Sequence, residues 1–150
     1  MRGFTLIELI VVIGIITTLL AVTFPSLIAS QHRTSLSETV AVLVSDIKQQ
    51  QTKAMLGNAE NGLYFQADQY VLFTGSAYSA GDPANFAVIL DPSIRFSDIP
   101  FPASRIIFSK GSGQASGFIS DSYDLTVSDQ SEGVTRIITI NNYGVITEVN

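Results

Sequence analysis

From Phe4 to Phe24 the chain reads FTLIELIVVIGIITTLLAVTF, an apolar run whose sole ionisable side chain is Glu8. Its length matches the roughly 20 residues that carry a helix across ~30 Å of hydrocarbon. The apolar character goes all the way round, which predicts a spanning or fully buried helix. Arg2 lies on the N-terminal side of the run, and the next Lys or Arg is Arg33. That asymmetry places the N-terminus in the cytoplasm.

Pro25 follows the run, and it predicts a bend near residues 21–25 rather than a stop. Beyond it the pattern stays helical but becomes amphipathic. Leu36, Val40, Leu43, Ile47 and Ala54 trace one apolar stripe, interrupted at Gln51, with Glu38, Asp46, Lys48, Gln49, Gln50 and Lys53 on the wet side. Gly57 and Asn58 are residues on which helices end. A helix from about residue 4 to 56 is close to ~80 Å long at 1.5 Å per residue. With 150 residues there is room for one domain and an appendage, so the first half of such a helix protrudes.

From residue 61 the texture changes to short β runs between turn residues. Strands are predicted at Gly62–Gln66, Gln69–Thr74, Phe86–Leu90, Ser93–Phe96, Arg105–Ser109, Tyr123–Val127, Val134–Ile140 and Tyr143–Val149. Ala67-Asp68 and Asn141-Asn142 read as tight hairpin turns, while Gly75–Asn85 and Lys110–Gly117 read as loops. The expected fold is α+β: a long bent N-terminal helix whose second half packs on an antiparallel β-sheet head, with mostly sequential pairing.

Composition removes several functions. Thirteen acidic against eight basic residues give a formal net charge of −5, which repels phosphate backbones and makes nucleic acid an unlikely partner. The chain has no cysteine, hence no disulfide, thiol nucleophile or cysteine metal site. His32 stands alone among Ser, Gln and Arg and reads as a solvated helix residue. Asp121, Asp124 and Asp129 raise the question of calcium, but their spacing fits no known loop and favours a solvated edge. Gly111-Ser112-Gly113 to Gly117 lacks the Gly-Lys-Ser/Thr ending of a phosphate loop. No acid/base or nucleophile set is visible, so the chain is not expected to be an enzyme, nor to need a cofactor or a metal.

Arg2-Gly3-Phe4-Thr5-Leu6-Ile7-Glu8-Leu9-Ile10-Val11-Val12 resembles the signal of type IV prepilins and type II secretion pseudopilins. The resemblance implies that a prepilin peptidase cuts between Gly3 and Phe4 and N-methylates Phe4. Residues 1–3 are then a leader, 4–28 a transmembrane and filament-core helix, and 29–150 a globular head, with its amphipathic helix reaching about residue 57. Glu8 takes the place of the family's acidic residue and Pro25 that of its bend. The head is similar in outline to pseudopilin H and FimT-type minor subunits. Physically, a carboxylate in an apolar run is retained for a purpose. Glu8 can neutralise the amine created at Phe4, within one helix or between subunits.

The implied function is a structural subunit of a type IV pilus or type II secretion pseudopilus. Its partners are the prepilin peptidase, other subunits and an inner-membrane assembly platform. It starts as a single-pass precursor in the cytoplasmic membrane and ends in a periplasmic or cell-surface filament. Lack of cysteine and the head outline favour a minor or pseudopilin role. Two other readings remain open: a DNA-uptake minor pilin, although Arg105, Lys110 and Arg136 are scattered, and an exported β-domain with an ordinary signal peptide.

Overall fold

The computed structural model describes the backbone of residues 6–150 and the side chains of residues 6–19 and 35–150. One helix, α1, runs from Leu6 to Leu56, 51 residues or about 77 Å at the usual rise. It continues past position 25, so Pro25 does not stop it. The helix ends where Gly57 N–H bonds the Lys53 carbonyl at 2.8 Å.

Nine strands follow: β1 (Asn61–Phe65), β2 (Gln69–Thr74), β3 (Phe86–Ile89), β4 (Ile94–Asp98), β5 (Arg105–Phe108), β6 (Ala115–Ser116), β7 (Ser122–Asp129), β8 (Val134–Asn141) and β9 (Ile146–Val149). A 3₁₀ turn at Pro102–Ser104 precedes β5. Each predicted strand has a counterpart. The short β6 was hidden in the stretch read as the Lys110–Gly117 loop, where only two residues pair with β5.

The head is two antiparallel sheets and not the single sheet expected. One has the order β3-β2-β1-β5-β6 and the other β4-β7-β8-β9. The chain changes sheet after β3, where the Asp91 carboxylate accepts from Ser93 N–H at 2.9 Å and Ser93 Oγ at 2.8 Å, a turn that redirects the backbone. Ala67-Asp68 turns as predicted, closed by Gln66 N–H to the Gln69 carbonyl at 2.9 Å. The carbonyls of this turn also reach across, Ala67 to Phe96 N–H at 2.9 Å and Asp68 to Leu90 N–H at 3.0 Å.

One core joins both sheets to the second half of α1. Leu36, Leu43, Ile47 and Ala54 are buried with Leu63, Ile106 and Phe108 of the first sheet and Leu125, Ile138 and Ile140 of the second. Aromatic rings form the seam: Phe65 meets Phe96 edge-on at 5.4 Å and stacks on Phe101 at 5.4 Å, and Phe101 meets Tyr123 at 5.7 Å. The stripe on α1 differs from expectation at one turn. Gln50, placed on the wet side, is buried, and it is Gln50 that continues the four-then-three spacing from Ile47 to Ala54. Gln51 is half-buried at the edge.

The outer face of the first sheet is also covered. Tyr78, from the predicted loop, stacks on Tyr64 at 4.2 Å and meets Phe73 at 5.8 Å. Gly62, opposite Phe73 in the ladder, leaves the space that the Phe73 ring fills; a Cβ there would land on the Ile106 carbonyl oxygen and 2.7 Å from the ring.

Candidate functional site: an apolar helix and its anchorage

The residues that carry the prepilin resemblance stand at the start of α1. Gly3 and Phe4 lie outside the described residues, as do the side chains of Pro25 and His32. Glu8 lies in the first turn of the described helix and is exposed.

From Leu6 to Leu19 every residue is exposed. Leu6 is 76%, Ile7 66% and Leu19 63% accessible, and their positions span all sides of the helix. No part of the head covers this segment. Apolar surface of that extent is unstable in water and requires lipid or neighbouring helices. The two hydroxyls in the segment are satisfied internally: Thr17 Oγ1 donates to the Ile13 carbonyl at 2.8 Å and Thr18 Oγ1 to the Gly14 carbonyl at 2.7 Å. Among the described residues no helix is long and apolar enough to cross a membrane; the side chains described in this run end at Leu19. The span expected over residues 4–28 therefore extends outside them.

The other half of the same helix is fastened to the head by a backbone bond, Gly111 N–H to the Ala54 carbonyl at 2.9 Å, and by the side chains of Asp46 and Gln51. Tyr70 of β2 donates its hydroxyl to Asp46 Oδ2 at 2.6 Å. Burial, and then the Asp46 carboxylate, push the Tyr70 phenol well above its usual range. Five residues further along α1, Gln51 donates through Nε2 to the Gly113 carbonyl at 2.9 Å and the Tyr143 carbonyl at 3.1 Å. One side chain thus ties the β5–β6 turn and the β8–β9 turn to α1. Sequence reasoning saw Gln51 only as a break in the stripe and Asp46 as wet. A polar residue on the border of a stripe was the signal available, but its distant partners were not.

The three aspartates do not converge. Asp124 and Asp129 are both on β7 and about 16 Å apart at the rise of a strand. Asp124 Oδ1 accepts from Thr139 Oγ1 at 2.7 Å, and Asp129 Oδ1 accepts from Ser131 N–H at 2.8 Å and from Ser131 Oγ at 2.5 Å. Asp121 accepts Asn142 N–H through its main-chain carbonyl at 2.9 Å. Asp129 is buried, not part of a solvated edge. Among the described residues no group of His, Cys, Asp or Glu is placed to hold a metal ion.

Residues 1–24 match the prokaryotic N-terminal methylation motif. The chain carries a type IV pilin-like prepilin signal. Such a signal directs cleavage and methylation by a prepilin peptidase and is found on subunits that assemble with one another; it is not a catalytic signature. No curated protein and no solved structure matches the chain. The motif ends with the apolar run, and the α+β head beyond it is compatible with a pilin-like fold.

Proposed function

We propose that this protein is a structural subunit of a type IV pilus or type II secretion pseudopilus, of the minor or pseudopilin kind. The observation that carries the reading is the methylation motif at residues 1–24. In this reading the precursor sits in the cytoplasmic membrane with its N-terminus inside. The peptidase cuts between Gly3 and Phe4 and methylates the new amine of Phe4. The assembly platform then moves the helix from the bilayer into a bundle of like helices, and the heads form the outer wall.

The exposed surface from Leu6 to Leu19 supports this transfer, because Leu and Ile exchange lipid for packed neighbours at little cost. Glu8 provides the register. A carboxylate buried among apolar helices is tolerated only where it meets a cation, so the Phe4 amine of an incoming subunit settles beside the Glu8 of a resident one. A bend at Pro25 helps the helices pack while the heads splay.

Mass spectrometry of the mature protein tests the reading. A chain starting at N-methylated Phe4, recovered in sheared filaments or membranes, is the expected result. A mature start anywhere after residue 20 overturns it in favour of an exported β-domain.

A further inference from the structure

Two surfaces of the head are unlike each other and complementary. The first is a groove of about 240 Å³ between α1 and the edge strand β3, with Val42, Ile89, Glu38 and Asp91 in its lining. Val42 is 51% and Ile89 78% accessible, although both are aliphatic. The second is the end of α1, where Leu56 is 84% accessible and lines a shallow surface with Lys48 and Lys53. One is an apolar hollow with an acidic rim, the other an apolar knob with basic flanks. Like charges at both places would have kept copies apart; opposite ones steer a specific register.

We propose that Leu56 of one copy of this chain seats in the Val42–Ile89 groove of the next copy, with Lys48 and Lys53 facing Glu38 and Asp91. The knob and the hollow lie about 21 Å apart along α1, fourteen residues at the helical rise, so the contact joins different surfaces of the two copies. It is heterologous: each copy offers a knob near the C-terminal end of α1 and a groove nearer its N-terminus, and the series does not close on itself. One aliphatic side chain and a few rim charges bury far less than a free dimer needs. The contact therefore operates between copies already held parallel by their N-terminal helices, where the effective concentration is high. In this respect it rests on the filament reading above, in the case where copies of this chain follow one another along the filament.

The absence of native cysteine makes the test clean. The full-length protein carrying Leu56→Cys and Ile89→Cys is expressed as the sole copy, oxidised in filaments, and run without reductant. A ladder of dimer, trimer and higher species is expected from the double variant, with no ladder from either single variant. Lys48→Glu with Lys53→Glu in that background should weaken the ladder about tenfold, and adding Glu38→Lys should restore it in part. Correctly processed filaments that yield no ladder overturn the knob-and-groove contact and leave the filament reading standing. A ladder indifferent to the charge variants overturns the proposed pairing. If no filaments form and the mature chain does not begin at Phe4, the filament reading falls and this contact falls with it.

Discussion

The Tyr70 hydroxyl donates to the Asp46 carboxylate at 2.6 Å, joining the middle of α1 to the second strand of the head. Because Tyr70 is 1% exposed, its charged form is disfavoured in the folded state and not in the unfolded one. A phenol raised in this way adds nothing to pH sensitivity below about pH 10, the unfolded value. Above it the unfolded chain releases a proton that the folded chain retains, so folding stability falls as pH rises. Urea melts of the protein should show this alkaline loss. Tyr70→Phe should start about 1 kcal/mol lower near neutrality, through the lost hydrogen bond, and decline less steeply above about pH 10. Identical alkaline slopes in the two proteins would remove Tyr70 as the cause.

Gly62 is expected to reject even a methyl group. A Cβ there meets the Ile106 carbonyl oxygen and the Phe73 ring. Backbone cannot retreat within a central strand paired on both sides, so Gly62→Ala should destabilise by about 1–3 kcal/mol. Phe73 can yield where the carbonyl cannot. Combining Gly62→Ala with Phe73→Leu should therefore cost less than the sum of the two single changes, measured by thermal or urea unfolding.

Gln51 should matter locally more than globally. Gln51→Leu keeps bulk but withdraws the donor from the Gly113 and Tyr143 carbonyls, for a loss of about 1–2 kcal/mol. Amide exchange should accelerate at Gly111–Gln114 and at Asn142–Gly144 while the β1–β2 ladder stays protected. Uniform acceleration through the head would mean that Gln51 holds the core and not the two turns.

Glu8 is tested by charge at constant volume. Glu8→Gln should leave cleavage before Phe4 intact, since the scissile bond is elsewhere, and sharply reduce incorporation into filaments. Breaking one partner of a buried pair costs about 3–5 kcal/mol. Glu8→Asp retains the charge with a shorter reach and should assemble better than Glu8→Gln. Methylation of Phe4 is scored separately by mass. Normal assembly of Glu8→Gln, as the sole copy, would sink charge pairing even in a filament subunit.

Periodicity made the helix and the strands legible. Leu36, Val40, Leu43, Ile47 and Ala54 repeat with the helical period and are buried, and alternating runs placed every strand but β6. The division into two sheets was not legible, because strand order depends on contacts such as Asp68 with Leu90 that no local pattern encodes. Gln50 and Gln51 show the finest limit: adjacent, chemically identical, and told apart only by a 100° step round the helix. At the N-terminus the balance reverses. Residues 1–24 match a motif by sequence, and in the proposed function Gly3, Phe4 and Glu8 are read by other proteins and not by the fold of the head.

Because α1 is one helix from Leu6 to Leu56, its N-terminal end and the head turn as a single screw. Advancing its N-terminal half by one residue moves the rod only about 1.5 Å but swings it by about 100°. In the proposed filament an error of axial placement at Glu8 would aim the whole head in the wrong direction. In that filament the outward aim of the head would report how the core is seated.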